Sequence, residues 1–317
     1  MDKLLPNLRK VLIPITDDDH SLRAVTFAAN LLSPLSPNIA QTVFLLHVIA
    51  PSYIEKMASN VDIRFRNILE SPIFKNIIQQ HIENNVKPFL DKFARIFKEN
   101  SFQGDIQTIV SQGEPGKEIV NVAQKNNVQS IIMGRRRRSH AAETFLGSAS
   151  QIVIHRAKKQ FVYIVGQCLL ENGCPVNKIL VALDGSSPSL KALNEAAAIA
   201  SSFPPGLVKV SVVSVIDPLY LEKNSQEEKE AHLLLEQAKN FLLKSGLNEN
   251  YIETFLEFGD PGRTIAKIAD DENYPLVMMG RTGKTGLKEI VLGSVSTRVI
   301  HKVKKATVGL APVEENI

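Results

Sequence analysis

Two short segments near the end of the chain contain the residue types that bind a phosphate group. They are Gly280-Arg281-Thr282-Gly283 and Gly293-Ser294-Val295-Ser296, with nine residues between them. Glycine allows a main chain to approach an anion closely, and the amides at the start of a helix point toward such an anion. Serine hydroxyls add hydrogen-bond donors, and Arg281 and Lys284 are candidate sources of positive charge. The spacing therefore predicts a phosphate-binding loop, with a glycine-rich turn that only connects a strand to a helix as the alternative.

The loop belongs to the second of two similar halves of the chain. Gly113-Glu114-Pro115-Gly116 aligns with Gly259-Asp260-Pro261-Gly262 at an offset of 146 residues, since 259 − 113 = 146. The same offset holds as far as Val153-Ile154-His155 and Val299-Ile300-His301. A register that persists over this length indicates two copies of one domain.

The start of each copy aligns at a different offset. Lys10–Pro14 matches Lys178–Ala182 at 168 residues, so the first copy contains 168 − 146 = 22 additional residues. We place these residues between about 52 and 80, where the mixture of apolar and polar residues predicts helix. The resulting domains are expected at residues 1–168 and 175–317, joined by a connector that contains glycine and proline.

Apolar runs rich in branched residues alternate with amphipathic stretches in both copies. Val11–Ile15 and Ile179–Leu183 have the composition of buried parallel strands, and Ser187 with Pro188 is a helix start signal. The predicted strands are 11–15, 43–48, 106–110 and 130–133 in the first copy and 179–183, 208–215, 252–256 and 276–279 in the second, and one more strand closes each copy. This alternation predicts an α/β fold with a doubly wound parallel sheet in each copy, and a ligand site at the carboxyl ends of the strands.

Composition excludes several classes of protein. Of the 317 residues, 44% are hydrophobic and 22% are charged, which is typical of a folded domain and not of a disordered chain. The net charge of +4 is a mild excess that does not favour a nucleic-acid partner. No apolar run approaches the roughly 18 residues that span a membrane. The two cysteines, Cys168 and Cys174, have no partner cluster and suit a reducing compartment, so we expect a soluble cytoplasmic protein.

The residues of the second copy match the pattern of a known family. Gly280-x2-Gly283-x9-Gly293-Ser294, preceded by an apolar strand and paired with Asp184 at the end of the first strand, resembles the ATP-binding pattern of the universal stress proteins. The resemblance covers nearly the whole chain, once per copy, so the chain resembles a tandem universal stress protein. It implies two Rossmann-like, adenine nucleotide alpha-hydrolase-like domains. It also implies bound ATP or another adenine nucleotide, with a divalent metal such as Mg²⁺ for which no ligands are assigned.

The resemblance also implies which residues contact the nucleotide. Ala182 and Asp184 are expected to line the adenosine end, and Val210 on the second strand is expected to contact the base. The residues expected to follow the ribose and phosphates are Met279, Gly280, Gly283, Gly293, Ser294, Val295 and Ser296. Asp184 has an alternative role as a cap or turn residue in Asp-Gly-Ser-Ser.

The first copy departs from this pattern. Arg137 occupies the place of Gly283, since 137 + 146 = 283, and an arginine adds bulk and disfavours positive φ. Thr16 falls at the place of Asp184, with Asp17 as the carboxylate that could take its role. The run 135–138 is four arginines, which could bind a different anion, form a salt bridge, contact an acidic partner or lie in solvent. The first copy is therefore predicted to have a degenerate nucleotide loop.

The interpretation that follows is a nucleotide-dependent stress-response or signalling module. No base and nucleophile pair accompanies the loop at a recognisable spacing, so an enzyme is the second hypothesis, as a slow ATPase or a nucleotide-dependent phosphotransferase. The third is an interaction scaffold without a ligand. The family pairs its domains through their last strands, here 160–165 and 307–312, which implies an internal pseudo-dimer and leaves a further homodimer of whole chains open.

Overall fold

The computed structural model describes residues 4–54, 72–135, 146–167, 176–218, 224–283 and 292–313. The strands of the first half are β1 (Lys10–Pro14), β2 (Thr42–Ile49), β3 (Asp105–Gln112), β4 (Ser130–Gly134) and β5 (Phe161–Val165). Those of the second half are β6 (Lys178–Ala182), β7 (Lys209–Ile216), β8 (Ile252–Phe258), β9 (Leu276–Gly280) and β10 (Thr307–Ala311). The order is β3-β2-β1-β4-β5 in one half and β8-β7-β6-β9-β10 in the other, and every pair within a half is parallel. This confirms the predicted tandem of doubly wound α/β domains.

Helices cover both faces of the sheet. They are α1 (Asp19–Leu32), α2 (Pro72–His81), α3 (Lys87–Glu99), α4 (Pro115–Lys125), α5 (Ser148–Arg156), α6 (Ser187–Ser202), α7 (Asn224–Lys244), α8 (Pro261–Asp271) and α9 (Ser294–Lys302). One turn of π-helix, Ile82–Val86, joins α2 to α3. Helix α2 lies among the additional residues of the first half, as predicted, and residues 55–71 of that segment are outside the described part. No described helix is both long and apolar enough to span a membrane.

Burial on both faces explains the apolar runs of the strands. Successive side chains of a strand point to opposite faces, so Val11 and Ile13 belong to the core layer that contains residues of α1, α3, α6 and α7, whereas Leu12 belongs to the layer that contains residues of α4, α5, α8 and α9. Both core layers contain residues of both halves. A strand buried on both faces needs apolar residues at consecutive positions, which the sequence of β1 supplies.

Helix α6 begins with a cap one residue before the expected position. The side chain of Ser186 accepts a hydrogen bond from the main-chain nitrogen of Ser189, and Pro188 lies in the first turn. Ser187, predicted as the cap, is the first helical residue. The error arises because adjacent serines are equivalent cap candidates in sequence.

The two halves join edge to edge through β5 and β10, which pair antiparallel and complete one ten-stranded sheet. Leu310 lies opposite Val162, and Gly309 lies opposite Tyr163. A Cβ added to Gly309 would lie 2.3 Å from Sδ of Met278 and 3.1 Å from Cε1 of Tyr163. Glycine at position 309 therefore leaves room chiefly for the side chain of Met278 in the same half, and also for Tyr163 of the other half.

A buried carboxylate lies at this junction. Glu195 on α6 is 1% exposed and accepts hydrogen bonds from the main-chain nitrogen of Asn7 at 2.9 and 3.0 Å, from Nδ2 of Asn7 at 2.7 Å and from the hydroxyl of Tyr163 at 3.2 Å. Burial raises the pKa of Glu195 to about 7, although the bonds from Asn7 and Tyr163 act in the opposite direction. One side chain thus joins the segment before β1, strand β5 and helix α6.

We expect the stability of the fold to decrease as the pH rises through the interval between the two pKa values of Glu195. The unfolded carboxyl ionises near its usual pKa of 4.5 and the folded one near 7, so within this interval the folded state binds the additional proton. Raising the pH across the interval therefore costs at most about 3 kcal/mol of folding free energy. The measurement is urea unfolding of the wild type and Glu195→Gln at pH 5, 6, 7 and 8.

In Glu195→Gln this pH-dependent component should disappear, so the difference from the wild type should change with pH. The exposed Glu236 on α7 provides the matched control, Glu236→Gln, whose curve should run parallel to that of the wild type. Parallel curves for Glu195→Gln would contradict the assignment.

Candidate functional site

A cavity of about 380 Å³ lies at the carboxyl ends of β6, β7 and β9 in the second half. Its size falls in the range of small-molecule sites, and its place is the one where doubly wound sheets bind ligands. The structure brings together here nine of the ten residues predicted from the sequence: Ala182, Asp184, Met279, Gly280, Gly283, Gly293, Ser294, Val295 and Ser296. The predicted loop and the end of β6 therefore share one cavity.

Val210 is the predicted residue that lies elsewhere. It is the second residue of β7, fully buried, and pairs with Ile179 and Ile252 near the amino ends of the strands. Val213 and Val215, further along the same strand, line the cavity in its place. The sequence shows a uniform run of valines, so it does not reveal which of them reaches the carboxyl end.

The two glycine segments are joined directly by hydrogen bonds. The carbonyl oxygen of Arg281 accepts from the main-chain nitrogen of Gly293 at 2.9 Å and from Oγ of Ser296 at 2.7 Å. The Ser296 hydroxyl, predicted as a phosphate donor, is therefore already used to hold the loop together. Ser294, the first residue of α9, is exposed at the cavity. It is the serine whose hydroxyl remains suited to a ligand.

The loop glycines differ in what the fold requires of them. A Cβ on Gly280 would lie 2.9 Å from the main-chain nitrogen of Ser189 and 3.0 Å from the carbonyl oxygen of Thr282, so packing against α6 requires glycine there. Among the described residues, a Cβ on Gly293 would lie 3.5 Å from the carbonyl oxygen of Arg281, from Oγ of Ser296 and from Cα of Thr282, which is ordinary van der Waals contact. The described residues therefore leave room for a Cβ at position 293, which precedes the first amides of α9, where an anion is stabilised.

Asp184 has contacts that fit both of its proposed roles. Its Oδ1 accepts from the main-chain nitrogen of Ser186 at 3.0 Å and from the Ser186 hydroxyl at 2.6 Å, so it orders the turn before α6. Its Oδ2 lies 2.8 Å from the position that a Cβ of Gly283 would take. The carboxylate thus stabilises the turn and also borders the glycine loop.

The side chain of Arg281 does not enter the cavity. It is fully buried and donates hydrogen bonds to carbonyl oxygens of Ile154, Ala157 and Gln160 in the first half. Burial lowers the pKa of Arg281 to about 10, so the group stays charged at neutral pH. The expectation that Arg281 supplies charge to a phosphate was wrong. Lys284, the other candidate, lies outside the described residues.

The first half has an equivalent but smaller cavity of about 240 Å³. In the turn of the first half, the hydroxyl of Thr16 donates to Oδ2 of Asp18 at 2.6 Å. In the second half, the hydroxyl of Ser186 donates to the carboxylate of Asp184, so the hydroxyl and the carboxylate have exchanged positions in the sequence. The carboxylate has therefore moved from the strand end to the start of the helix. The sequence alignment identified Thr16 correctly but could not show this exchange.

Asp17 does not take the role of the missing carboxylate. It is exposed and is not among the residues that line the cavity, whereas Asp18 lines it and caps α1 by accepting from the main-chain nitrogen of Ser21 at 2.8 Å. The substitution at Arg137 lies outside the described residues, as do the other arginines from 136 to 138. Arg135 is described, and it is buried rather than solvated.

Comparison with known proteins agrees with this architecture. The model of the universal stress protein family matches residues 7–164 and again residues 175–308. Universal stress protein MJ0531 of Methanocaldococcus jannaschii is 34% identical over 153 residues, covering 45% of this chain and 90% of the relative. Universal stress protein YxiE of Bacillus subtilis is 33% identical over 137 residues, covering 39% and 90%.

A solved structure shows the same fold over nearly the full length. The universal stress protein from Archaeoglobus fulgidus DSM 4304 superposes with a TM-score of 0.69 at 19% identity, covering 96% of this chain and 98% of that one. The two matches of the family model establish the relationship that the glycine pattern suggested. The chain belongs to the universal stress protein family and contains two domains of that family in tandem.

Proposed function

We propose that the chain is a cytoplasmic stress-response or signalling module that binds an adenine nucleotide, such as ATP, in the cavity of its second domain. The observation that carries this proposal is that a single cavity at the carboxyl ends of the strands is lined by the end of β6 and by both glycine segments. The first residues of α9 line this cavity, and main-chain amides at the start of a helix suit a phosphate group. The domains of the proposal are residues 1–168 and 175–317.

The remaining walls suit the other parts of a nucleotide. Val213, Val215, Ile265 and Met279 provide apolar surface for a base, and Ser294 provides a hydroxyl near the loop. Among the described residues there is no group of three or more His, Cys, Asp and Glu that would hold a metal without a ligand. Mg²⁺ would therefore be bound chiefly through the nucleotide phosphates and water, which is its common mode.

The first domain is proposed to serve a different purpose. Its cavity is smaller, and its turn has the carboxylate at another position. Pairing of β5 with β10 leaves the two domains as an internal pseudo-dimer, so a second chain is not needed to cover the last strands. The alternative function is an interaction scaffold that binds no ligand. The first domain, taken by itself, would suit that function.

One nucleotide should bind per chain. Calorimetric titration of the wild type with ATP and Mg²⁺ should give a stoichiometry near one, because only the second domain has the complete glycine pattern. Gly283→Arg should abolish binding, since any side chain at this position meets the carboxylate of Asp184. Two equivalent sites per chain, or unchanged affinity in Gly283→Arg, would disprove the assignment.

Substitution of Gly293 should separate binding from folding. In Gly293→Ala the nucleotide affinity should fall at least about tenfold, because the methyl group adds bulk to the cavity wall at the start of α9, whereas the free energy of unfolding should change by about 1 kcal/mol or less. The matched control is Gly147→Ala, which changes the corresponding cap glycine of α5 in the first domain, since 147 + 146 = 293. Equal affinity losses in both variants would count against a site in the second domain.

Turnover of bound ATP should be slow, on the order of minutes or longer and far below the ~10 s⁻¹ typical of enzymes. Hydrolysis needs a positioned water and a charge that acts mainly on the transition state. Among the described residues that line the cavity, Asp184 is the only carboxylate, and it is hydrogen-bonded to Ser186; the guanidinium of Arg281 is buried elsewhere. Steady-state phosphate release is measured for the wild type, Asp184→Ala and Ser294→Ala. Rapid release that disappears in either variant would identify an ATPase instead.

A further inference from the structure

Arg281 connects the phosphate loop of the second domain to the first domain. Its main chain belongs to the loop, because it follows Gly280 and its carbonyl oxygen accepts from the main-chain nitrogen of Gly293 and from Oγ of Ser296. That carbonyl is the hydrogen-bonded link between the two glycine segments. The position of Arg281 therefore determines how the loop meets the start of α9.

The side chain of Arg281 belongs to the other domain. Its Nη1 donates to the carbonyl oxygens of Ile154 at 2.9 Å and Ala157 at 2.8 Å, and its Nη2 donates to that of Gln160 at 2.9 Å. Ile154 lies in the last turn of α5, and Ala157 is the residue that ends this helix. The last carbonyl groups of a helix lack partners within it and carry partial negative charge. A guanidinium with several donors in one plane is suited to bind such a cluster.

Arg135 provides a comparison within the same chain. It corresponds to Arg281, since 135 + 146 = 281, is 3% exposed, and its Nη1 donates to the carbonyl oxygen of Val303, which ends α9 in the second domain. Each of the two arginine side chains thus donates to one or more main-chain carbonyl oxygens of the other domain. Their main chains differ: the carbonyl oxygen of Arg135 accepts from Nη2 of Arg23 on α1 at 3.3 Å, whereas that of Arg281 accepts from the start of α9.

We propose that Arg281 is a positioning residue through which the first domain holds the phosphate loop of the second, so that nucleotide binding and the domain contact stabilise each other. The proposal rests on the nucleotide site proposed above. Its side chain fixes the main chain from outside the domain, and the main chain fixes the two glycine segments. Coupling of this kind is reciprocal, so bound nucleotide should also order the end of α5 in the first domain.

The experiment compares Arg281→Met, Arg281→Lys and the matched variant Arg135→Met in the full-length chain. Each arginine variant removes a buried guanidinium at the domain junction, so both methionine variants should lower the thermal unfolding midpoint. ATP affinity should fall at least tenfold in Arg281→Met, less in Arg281→Lys, and less than twofold in Arg135→Met. Hydrogen exchange provides a second measurement: ATP should slow exchange of the Ala157 amide in the wild type, and this effect should be lost in Arg281→Met.

Several results would overturn the proposal. Wild-type affinity in folded Arg281→Met would do so, as would equal loss of affinity in Arg135→Met, which would indicate a general effect of the weakened junction. If Arg281→Met does not fold, Arg281→Lys is compared with Arg135→Lys in the same way.

Failure of the nucleotide proposal itself gives a different result. If the wild type binds no ATP, exchange is compared without nucleotide at the amides of Gly293 and Thr297, which are hydrogen-bonded within the loop region. Faster exchange there in Arg281→Met, but not in Arg135→Met, supports the positioning role. Unchanged exchange overturns it.

Discussion

The antiparallel contact between β5 and β10 is the constraint on which the remaining arrangement depends. It relates the two domains by an approximate two-fold axis and merges their sheets and both core layers. Under this relation the last helix of each domain ends beside the loop that follows the fourth strand of the other. The bonds of Arg281 to Ala157 and of Arg135 to Val303 are consequences of that geometry.

The junction is not symmetric in its chemistry, and the asymmetry favours pairing of a first domain with a second domain. The first domain has Phe27 at the position equivalent to Glu195, since 27 + 168 = 195. The second domain has Gly309 at the position equivalent to Tyr163, since 163 + 146 = 309. If two second domains paired with each other, Glu195 would face a glycine instead of the Tyr163 hydroxyl and would lose the donors of Asn7. A buried carboxylate without donors is costly, so the native contact of first with second domain is preferred.

Sequence reasoning predicted the fold well because the repeat fixed the register of the elements. The strand bounds of the structure differ from the expected ones by at most two residues, as in Lys10–Pro14 against 11–15. The predictions differ from the structure where they depend on which residue of a run reaches the cavity or on where a side chain points. A run of valines does not show which of them reaches the carboxyl end of β7, so Val210 was predicted, whereas Val213 and Val215 line the cavity. Neighbouring aspartates do not show which one reaches the cavity: Asp17 was the carboxylate that could take the role of Asp184, whereas Asp18 lines the cavity and caps α1.

The position of Arg281 was missed for a related reason. An arginine between two loop glycines suggests a phosphate ligand, and only the contact between domains shows that its side chain points away. A signal was nevertheless present, because arginine recurs at position 135 in the copy whose nucleotide pattern is otherwise incomplete. Recurrence of a residue in a degenerate copy indicates a role that both copies share, which here is the contact with the other domain.

A loop that binds phosphate through main-chain amides depends on its exact backbone geometry more than on its side chains. In the second domain that geometry is held by the carbonyl of Arg281, whose side chain is bound by the end of α5. The first domain can therefore lose its own nucleotide pattern and still be needed by the second. This gives a physical reason for a tandem in which one copy keeps the complete glycine loop and the other keeps the arginine and the helix end.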